Sequence, residues 1–317
     1  MLDVLTITGV IFILIAIGYG SVARGMFAPA ELKVLGKFVV NFALPALIFK
    51  AVSSRDLQEV FDPVYLSVYL AGSLTAFFAG YFVSRRLIGK ASADATFAGM
   101  GMSCSNSGFI GYPMFLIALP SLAGTVLTLN MMIENFIMIP LVLLMAERAA
   151  RHGAPDASLF RQVGLRLIRN PIVLAMLAAV LVSVAGVPLP EILTRSIDLI
   201  AAASAALSLI VIGGTLVGMK LNAINLNVIA ILLGKLLLMP LVVAGAIVLL
   251  SRFGIMIADQ RLAQAAIISA AIPPMAIYPI LAQSYGAEKD ASLAMALMTG
   301  ASFVTLTALL WLLQFPS

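Results

Sequence analysis

"SCSNSGFIGYP", residues 103–113, lies inside an apolar run from about Thr96 to Leu119. A helix needs about 20 apolar residues to cross a bilayer, and this run is long enough. Its middle nevertheless carries three serines, an asparagine, two glycines and a proline. Pro113 lacks a backbone donor and clashes with the preceding turn. Gly108 and Gly111 weaken the helix further, while Ser105, Asn106 and Ser107 can bond freed backbone groups or a ligand. Non-helical backbone survives at membrane depth only when it is buried in protein or lines a water-filled cavity. The stretch therefore predicts a helix interrupted near its centre, at a place of consequence.

The rest of the chain supplies the setting. Of 317 residues, 62% are hydrophobic and 10% charged, and the mean hydropathy is +1.12. Soluble domains average about 45–50% apolar and about 25% charged residues, so the composition is that of a polytopic membrane protein. Apolar windows place ten spans near 4–22, 34–52, 64–88, 95–119, 123–146, 170–187, 196–219, 226–251, 262–285 and 290–313. The N-terminal stretch carries Asp3 where a signal peptide would be basic, and is read as the first span. The net charge of +5 comes without a basic stripe interleaved with aromatics, which argues against nucleic acid. One cysteine, Cys104, and one histidine, His152, give no disulfide and no metal-ligand set. No cofactor is expected, and no acid–base or metal cluster points to an enzyme.

With the N-terminus outside, thirteen Lys and Arg fall in inner loops and five in outer ones, Lys235 lying within a span. This bias places both termini outside and the basic linker 147–169 in the cytoplasm. The linker separates residues 1–146 from 170–317, and the halves echo each other. Tyr112-Pro113 and Tyr278-Pro279 lie 166 residues apart, as do Gly20 and Gly186, and "FALPALIF" (42–49) aligns with "AALSLIVI" (205–212) at an offset of 163. A repeated unit of five spans must enter the membrane from opposite sides. Inverted repeats of this kind are a habit of secondary transporters, which bind near midplane where corresponding helices are interrupted. The predicted fold is all-α, with ten transmembrane helices as two inverted five-helix repeats and broken helices 4 and 9.

The ninth span repeats the interruption with Pro273, Pro274 and Pro279 in "SAAIPPMAIYP". Half-helix N-termini at such breaks favour a carboxylate or another small anion, although half-helix C-termini could serve a cation. Among polar residues within spans, Asn41 precedes Pro45 and either bonds the loosened backbone or meets a ligand. Glu134 and Asn135 lie mid-span, where an ionisable group is a functional candidate. Glu134 is a candidate proton or cation site, with a structural hydrogen bond to the broken helix as the alternative. Lys235 either pairs with an acid or snorkels, and Met275 and Tyr278 are candidates to line the cavity.

The segments "GMFAPAELKVLGKFVVNFALPALIFKAV" (25–52), "NSGFIGYPMF" (106–115) and "PPMAIYPILAQSYG" (273–286) resemble the second span and the two crossovers of the auxin efflux carrier family. The resemblance covers the whole chain. It implies a scaffold from spans 1, 2, 6 and 7 and a mobile transport domain from spans 3–5 and 8–10, with spans 4 and 9 crossing at the substrate. By motif, Asn106 would contact substrate, while Pro113, Pro274 and Pro279 would shape the crossover. The chain lacks the long central hydrophilic loop of many plant PIN-formed members, which export auxin, and carries Ser-Cys-Ser before Asn106. It resembles compact bacterial carriers of small organic acids, malonate-type transporters among them. The expectation is an inner-membrane secondary carrier of a small organic anion working by elevator-like movement. A sodium-coupled symporter of the bile acid type, or less readily a channel or receptor, is the alternative. Expected partners are the bilayer, the anion, a proton or sodium for coupling, and a second copy of the chain.

Overall fold

A computed structural model describes residues 2–53, 61–151, 164–165, 168–186, 188–218 and 224–313. Most of the predicted linker 147–169, with His152, lies outside the described residues. The helices are α1 (Leu2–Ala23), α2 (Pro29–Ser53), α3 (Pro63–Leu87), α4 (Ser92–Ser103), α5 (Tyr112–Ala118), α6 (Ala123–Ala150), α7 (Pro171–Ala185), α8 (Glu191–Thr215), α9 (Leu226–Ser251), α10 (Gln260–Ala271), α11 (Tyr278–Gln283) and α12 (Glu288–Leu312). Among the described residues there is no strand. Six of these helices (α2, α3, α6, α8, α9 and α12) are long and apolar enough to cross a membrane. The molecule is a multi-pass helical bundle. Its outward side chains are apolar, Leu181, Leu199, Leu241 and Trp311 among them, as a surface facing lipid requires.

Local chemistry sets the helix ends. Asp62 caps α3 by accepting from Tyr65 N at 2.8 Å, with Pro63 at the first helical position. Asn170 and Pro171 start α7 in the same way, because proline's missing donor costs nothing in a first turn. Buried hydroxyls turn back onto their own helix, as Thr96 does to Ser92 O, Thr128 to Gly124 O and Thr299 to Met295 O, each at 2.8 Å. In an apolar setting such bonds remove the cost of an unpaired donor.

Prolines inside the long helices are handled by a device that periodicity does not reveal. Single π-helical turns occupy Val39–Ala43, Ser107–Gly111, Glu134–Met138 and Gly234–Leu238. Each begins six residues before a proline, Pro45, Pro113, Pro140 and Pro240; a fifth π turn, Val83–Leu87 at the end of α3, has no such proline. A proline ring collides with the carbonyl four residues back, and a turn widened to i→i+5 relieves that collision. Pro113 accordingly does not break the run in which it lies. The break sits upstream, at extended Cys104 and the residues up to Asn106, and Gly108 and Gly111 belong to the π turn that follows. The second break spans 272–277 with Pro273 and Pro274, and Pro279 lies in the first turn of α11.

Helices α1, α2, α7 and α8 pack on one another, and α3, α4, α6, α9, α10, α11 and α12 form a second set of mutual contacts. The α1–α8 contact is backbone on backbone. A Cβ added to Gly213 would collide with the carbonyl of Ile15, and one added to Gly18 with that of Ile210. Glycine permits this close approach, which supplies dispersion and weak C–H···O contacts where lipid removes the hydrophobic drive. Gly213→Ala should lower the unfolding free energy by about 1–3 kcal/mol through overpacking. Gly9→Ala, whose Cβ would meet no atom within 4 Å, should change it little. Unfolding of both variants in detergent checks the contrast, and equal effects would contradict it.

Candidate functional site

The two breaks meet. Asn106 N donates to Pro273 O at 2.8 Å, and Ser105 Oγ donates to Ser269 O at 2.7 Å. Each interrupted helix thereby supplies partners for backbone groups stranded in the other. Ser105, Asn106, Ser107, Gly108, Gly111, Pro113, Pro273 and Pro274 are all buried. Asn106 also organises its own side of the crossing. Its Oδ1 accepts from Phe109 N at 3.1 Å, and its carbonyl accepts from Ile110 N and Gly111 N. That pairing fixes which side-chain atom is oxygen. The amide Nδ2 then lies buried without a hydrogen-bond partner.

Beside the crossing lies a polar cluster drawn from several helices. Glu134 Oε1, in the π turn of α6, accepts from Ser107 Oγ at 2.7 Å, from Ser105 N at 3.2 Å and from Tyr69 OH at 3.5 Å. Its Oε2 is buried without a partner. Lys235, in the π turn of α9, is fully buried and donates to Ser105 Oγ at 2.7 Å, with Met239 Sδ at 3.0 Å. It does not snorkel. Ser105 therefore joins the acid and the base, its N–H on Glu134 and its hydroxyl beneath the lysine amine. Tyr69 OH reaches the same hydroxyl at 3.0 Å. A relay continues from Tyr65 OH to Asn130 Oδ1 at 2.8 Å, and from Asn130 Nδ2 to Ser269 Oγ at 2.9 Å. The cluster thus reaches back to the second broken helix.

Other candidates fall elsewhere. Asn41 is exposed on α2 and its Nδ2 donates to Lys37 O at 2.7 Å, bonding backbone loosened before Pro45. Asn135 is turned from Glu134: its Nδ2 donates to Met131 O at 2.9 Å, and its Oδ1 accepts from Asn170 Nδ2 at 3.0 Å, tying α6 to the start of α7. Met275 is half-buried in the second break. Tyr278 is buried, and its hydroxyl lies against Gly101 of α4, away from the Glu134 cluster. Sequence reasoning passed over Tyr65, Tyr69, Asn130 and Ser269. The i, i+4 tyrosines on α3 and the lone polar residues in apolar runs were the available signals.

A second buried polar group stands apart from the crossing. Asp290, at the start of α12, accepts from Lys90 Nζ at 2.8 Å, from Asn225 Nδ2 at 2.7 Å and from Asn227 Nδ2 at 2.9 Å. It links three helix starts.

A family model described as "Membrane transport protein" matches residues 8–312, nearly the whole chain. The chain belongs to that family. This membrane transport protein is 28% identical to a putative malonate transporter of Rhizobium meliloti (strain 1021), over 97% of this chain and 96% of the relative. It is 24% identical to the uncharacterized transporter YfdV of Escherichia coli (strain K12), over 95% and 94%. It also aligns at 24% identity with a lysosomal cholesterol signaling protein of Mus musculus, over 96% of this chain but 37% of that longer protein. The family-level resemblance read from the motifs is borne out. The fold and the family point to a secondary membrane transporter of small molecules, not an enzyme.

The shared serine makes the acid and base of this transport protein one unit. Removing one partner from a buried polar network costs about 1–3 kcal/mol for each group left unsatisfied. Glu134→Gln and Lys235→Met should each destabilise strongly, and the double variant should recover at least about 1 kcal/mol of the summed loss. A double-mutant cycle from unfolding in detergent decides this. Strict additivity would mean that Ser105 does not couple them.

Proposed function

We propose that the protein is a secondary carrier of a small organic anion, a carboxylate, bound where the two interrupted helices cross. The observation that carries this reading is the Asn106 amide. A buried N–H₂ without an acceptor beside two helix breaks calls for an acceptor ligand, and a carboxylate oxygen supplies one. Half-helix N-termini near the same point, ahead of α5 and at α11, add partial positive charge. The hydroxyl of Ser107 is engaged with Glu134 and that of Ser105 with Ser269, so in this reading they hold the cluster together, and Asn106, with Met275, faces the substrate. The putative malonate transporter among the relatives makes short dicarboxylates the first substrates to try.

In the same reading the chain has ten spans in two inverted repeats, 1–146 and 170–317, with both termini outside a bacterial inner membrane. Spans 1, 2, 6 and 7 form a scaffold, and spans 3–5 and 8–10 move against it in elevator fashion. The two sets of mutually packed helices support that division. An asymmetry supports alternating access. Helix α5 and the π turn before it pack on α8, and α5 also packs on α1. Helix α11 packs on α12 and α4 and leaves Ile277 and Ile280 exposed. One arm of the crossing is thus covered by the scaffold, while the other carries exposed apolar side chains.

Glu134 is the coupling group in this scheme, and its unpartnered Oε2 takes the proton. The lysine amine on the other side of Ser105 occupies the place a sodium ion would need, which favours proton over sodium coupling. Uptake of labelled malonate and other short carboxylates into proteoliposomes tests both parts. Asn106→Ala and Asn106→Asp should lower kcat/KM about ten- to hundredfold, the loss of one hydrogen bond to a charged group. An acid gradient should accelerate uptake in the parent and not in Glu134→Gln, and replacing sodium by choline should have no effect. Unchanged transport in the Asn106 variants would refute the site, and sodium dependence would return the bile acid symporter reading.

A further inference from the structure

Away from the crossing, a groove of about 850 Å³ opens between the ends of α3 and α6 and the start of α4. Phe78 and Tyr81 of α3 and Met145 of α6 form its apolar walls, and Arg85 and Arg148 bring two guanidinium groups from different helices. Both arginines are exposed, and each lies in the last turns of a helix long and apolar enough to cross a membrane. The charges therefore sit at one membrane boundary, with apolar surface running from them toward the bilayer interior.

We propose that this groove holds one anionic phospholipid, with its phosphate between Arg85 and Arg148 and its acyl chains along Phe78 and Met145. Several details fit such a headgroup. Arg85 Nη1 donates to Lys90 O at 2.9 Å, which steadies the guanidinium across the link to α4 and uses one of its five donors. The remaining fork suits bidentate contact with phosphate oxygens. Tyr81 OH and Ser92 Oγ lie 3.1 Å apart, holding α3 against the first turn of α4. That turn has no side-chain cap, so its free N–H groups add to the positive field. Of the nearby carboxylates, Glu147 is engaged by Tyr285 OH at 3.0 Å, and Asp94 lies one residue beyond the lining residues on α4. Flanking Phe82 and Leu87 are exposed and extend the apolar surface. Two arginines without a facing acid among the described lining residues favour a net-negative headgroup over a zwitterionic one, since the choline of phosphatidylcholine would place a third cation there. A soluble anion would gain nothing from Phe78 and Met145.

The test uses the full chain, delipidated in a neutral maltoside detergent, with melting followed as lipid is added. Dioleoylphosphatidylglycerol should raise the melting temperature saturably, and phosphatidylcholine and soluble glycerol 3-phosphate should not. Arg85→Gln and Arg148→Gln should each weaken the apparent affinity about fivefold, as expected for one basic side chain at a charged membrane surface. The double variant should lose the effect, and Arg252→Gln, an exposed arginine elsewhere, should keep it. Native mass spectrometry of the single variants, counting retained phosphatidylglycerol, gives the same reading should the double variant not fold. Equal stabilisation by phosphatidylcholine or by glycerol 3-phosphate would overturn the proposal. So would unchanged phosphatidylglycerol binding in the arginine variants.

Discussion

The N–H of Asn106 and the carbonyl of Pro273 are groups that broken helices strand deep inside an apolar bundle, and they satisfy each other at 2.8 Å. Left alone, each would cost about 1–3 kcal/mol. That mutual dependence fixes much else. The two interruptions must sit at the same depth, the helices carrying them must cross, and the helices around them must seal the crossing from lipid. Burial of nearly every residue from Thr96 to Phe115 is the outcome. A binding site follows at little further cost, because a place that already tolerates non-helical backbone also has polar groups to spare.

The polar cluster is an extension of that constraint. Ser105 is held in non-helical backbone between α4 and the π turn, so its N–H is free for Glu134 and its hydroxyl for Ser269 and Lys235. In a continuous helix that N–H would be spent on a carbonyl four residues back. The break is therefore what lets one serine join an acid on α6 to a base on α9, two helices that share little else at this point.

Much of the architecture was legible in the sequence because apolar length and turn residues are local signals. Six of the expected spans coincide, to within about five residues, with helices long and apolar enough to cross a membrane, and both interruptions occur in the segments expected to carry them. The glycines and proline of 108–113 misled on position. They are poor helix formers on average, yet here they continue a helix, and the polar residues ahead of them release the backbone instead. Tyr69 and Ser269 escaped notice for another reason. A lone tyrosine or serine in an apolar run has an ordinary structural explanation, and only its long-range partners, unreadable from spacing, mark it out. Lys235 and Glu134 could be singled out, but not the serine between them.

The π turns carry a consequence for how these helices present their faces. One extra residue in a turn shifts the angular phase of everything downstream by about 100°. Helices α2, α6 and α9 therefore point one stripe of residues at their neighbours before the turn and a different stripe after it. Any single periodicity summed over the whole helix is blurred. Glu134 and Lys235 stand at the seams, where a helix changes the partner it addresses. The prolines six residues further on hold that change of phase in place, and so set the direction of side chains they never touch.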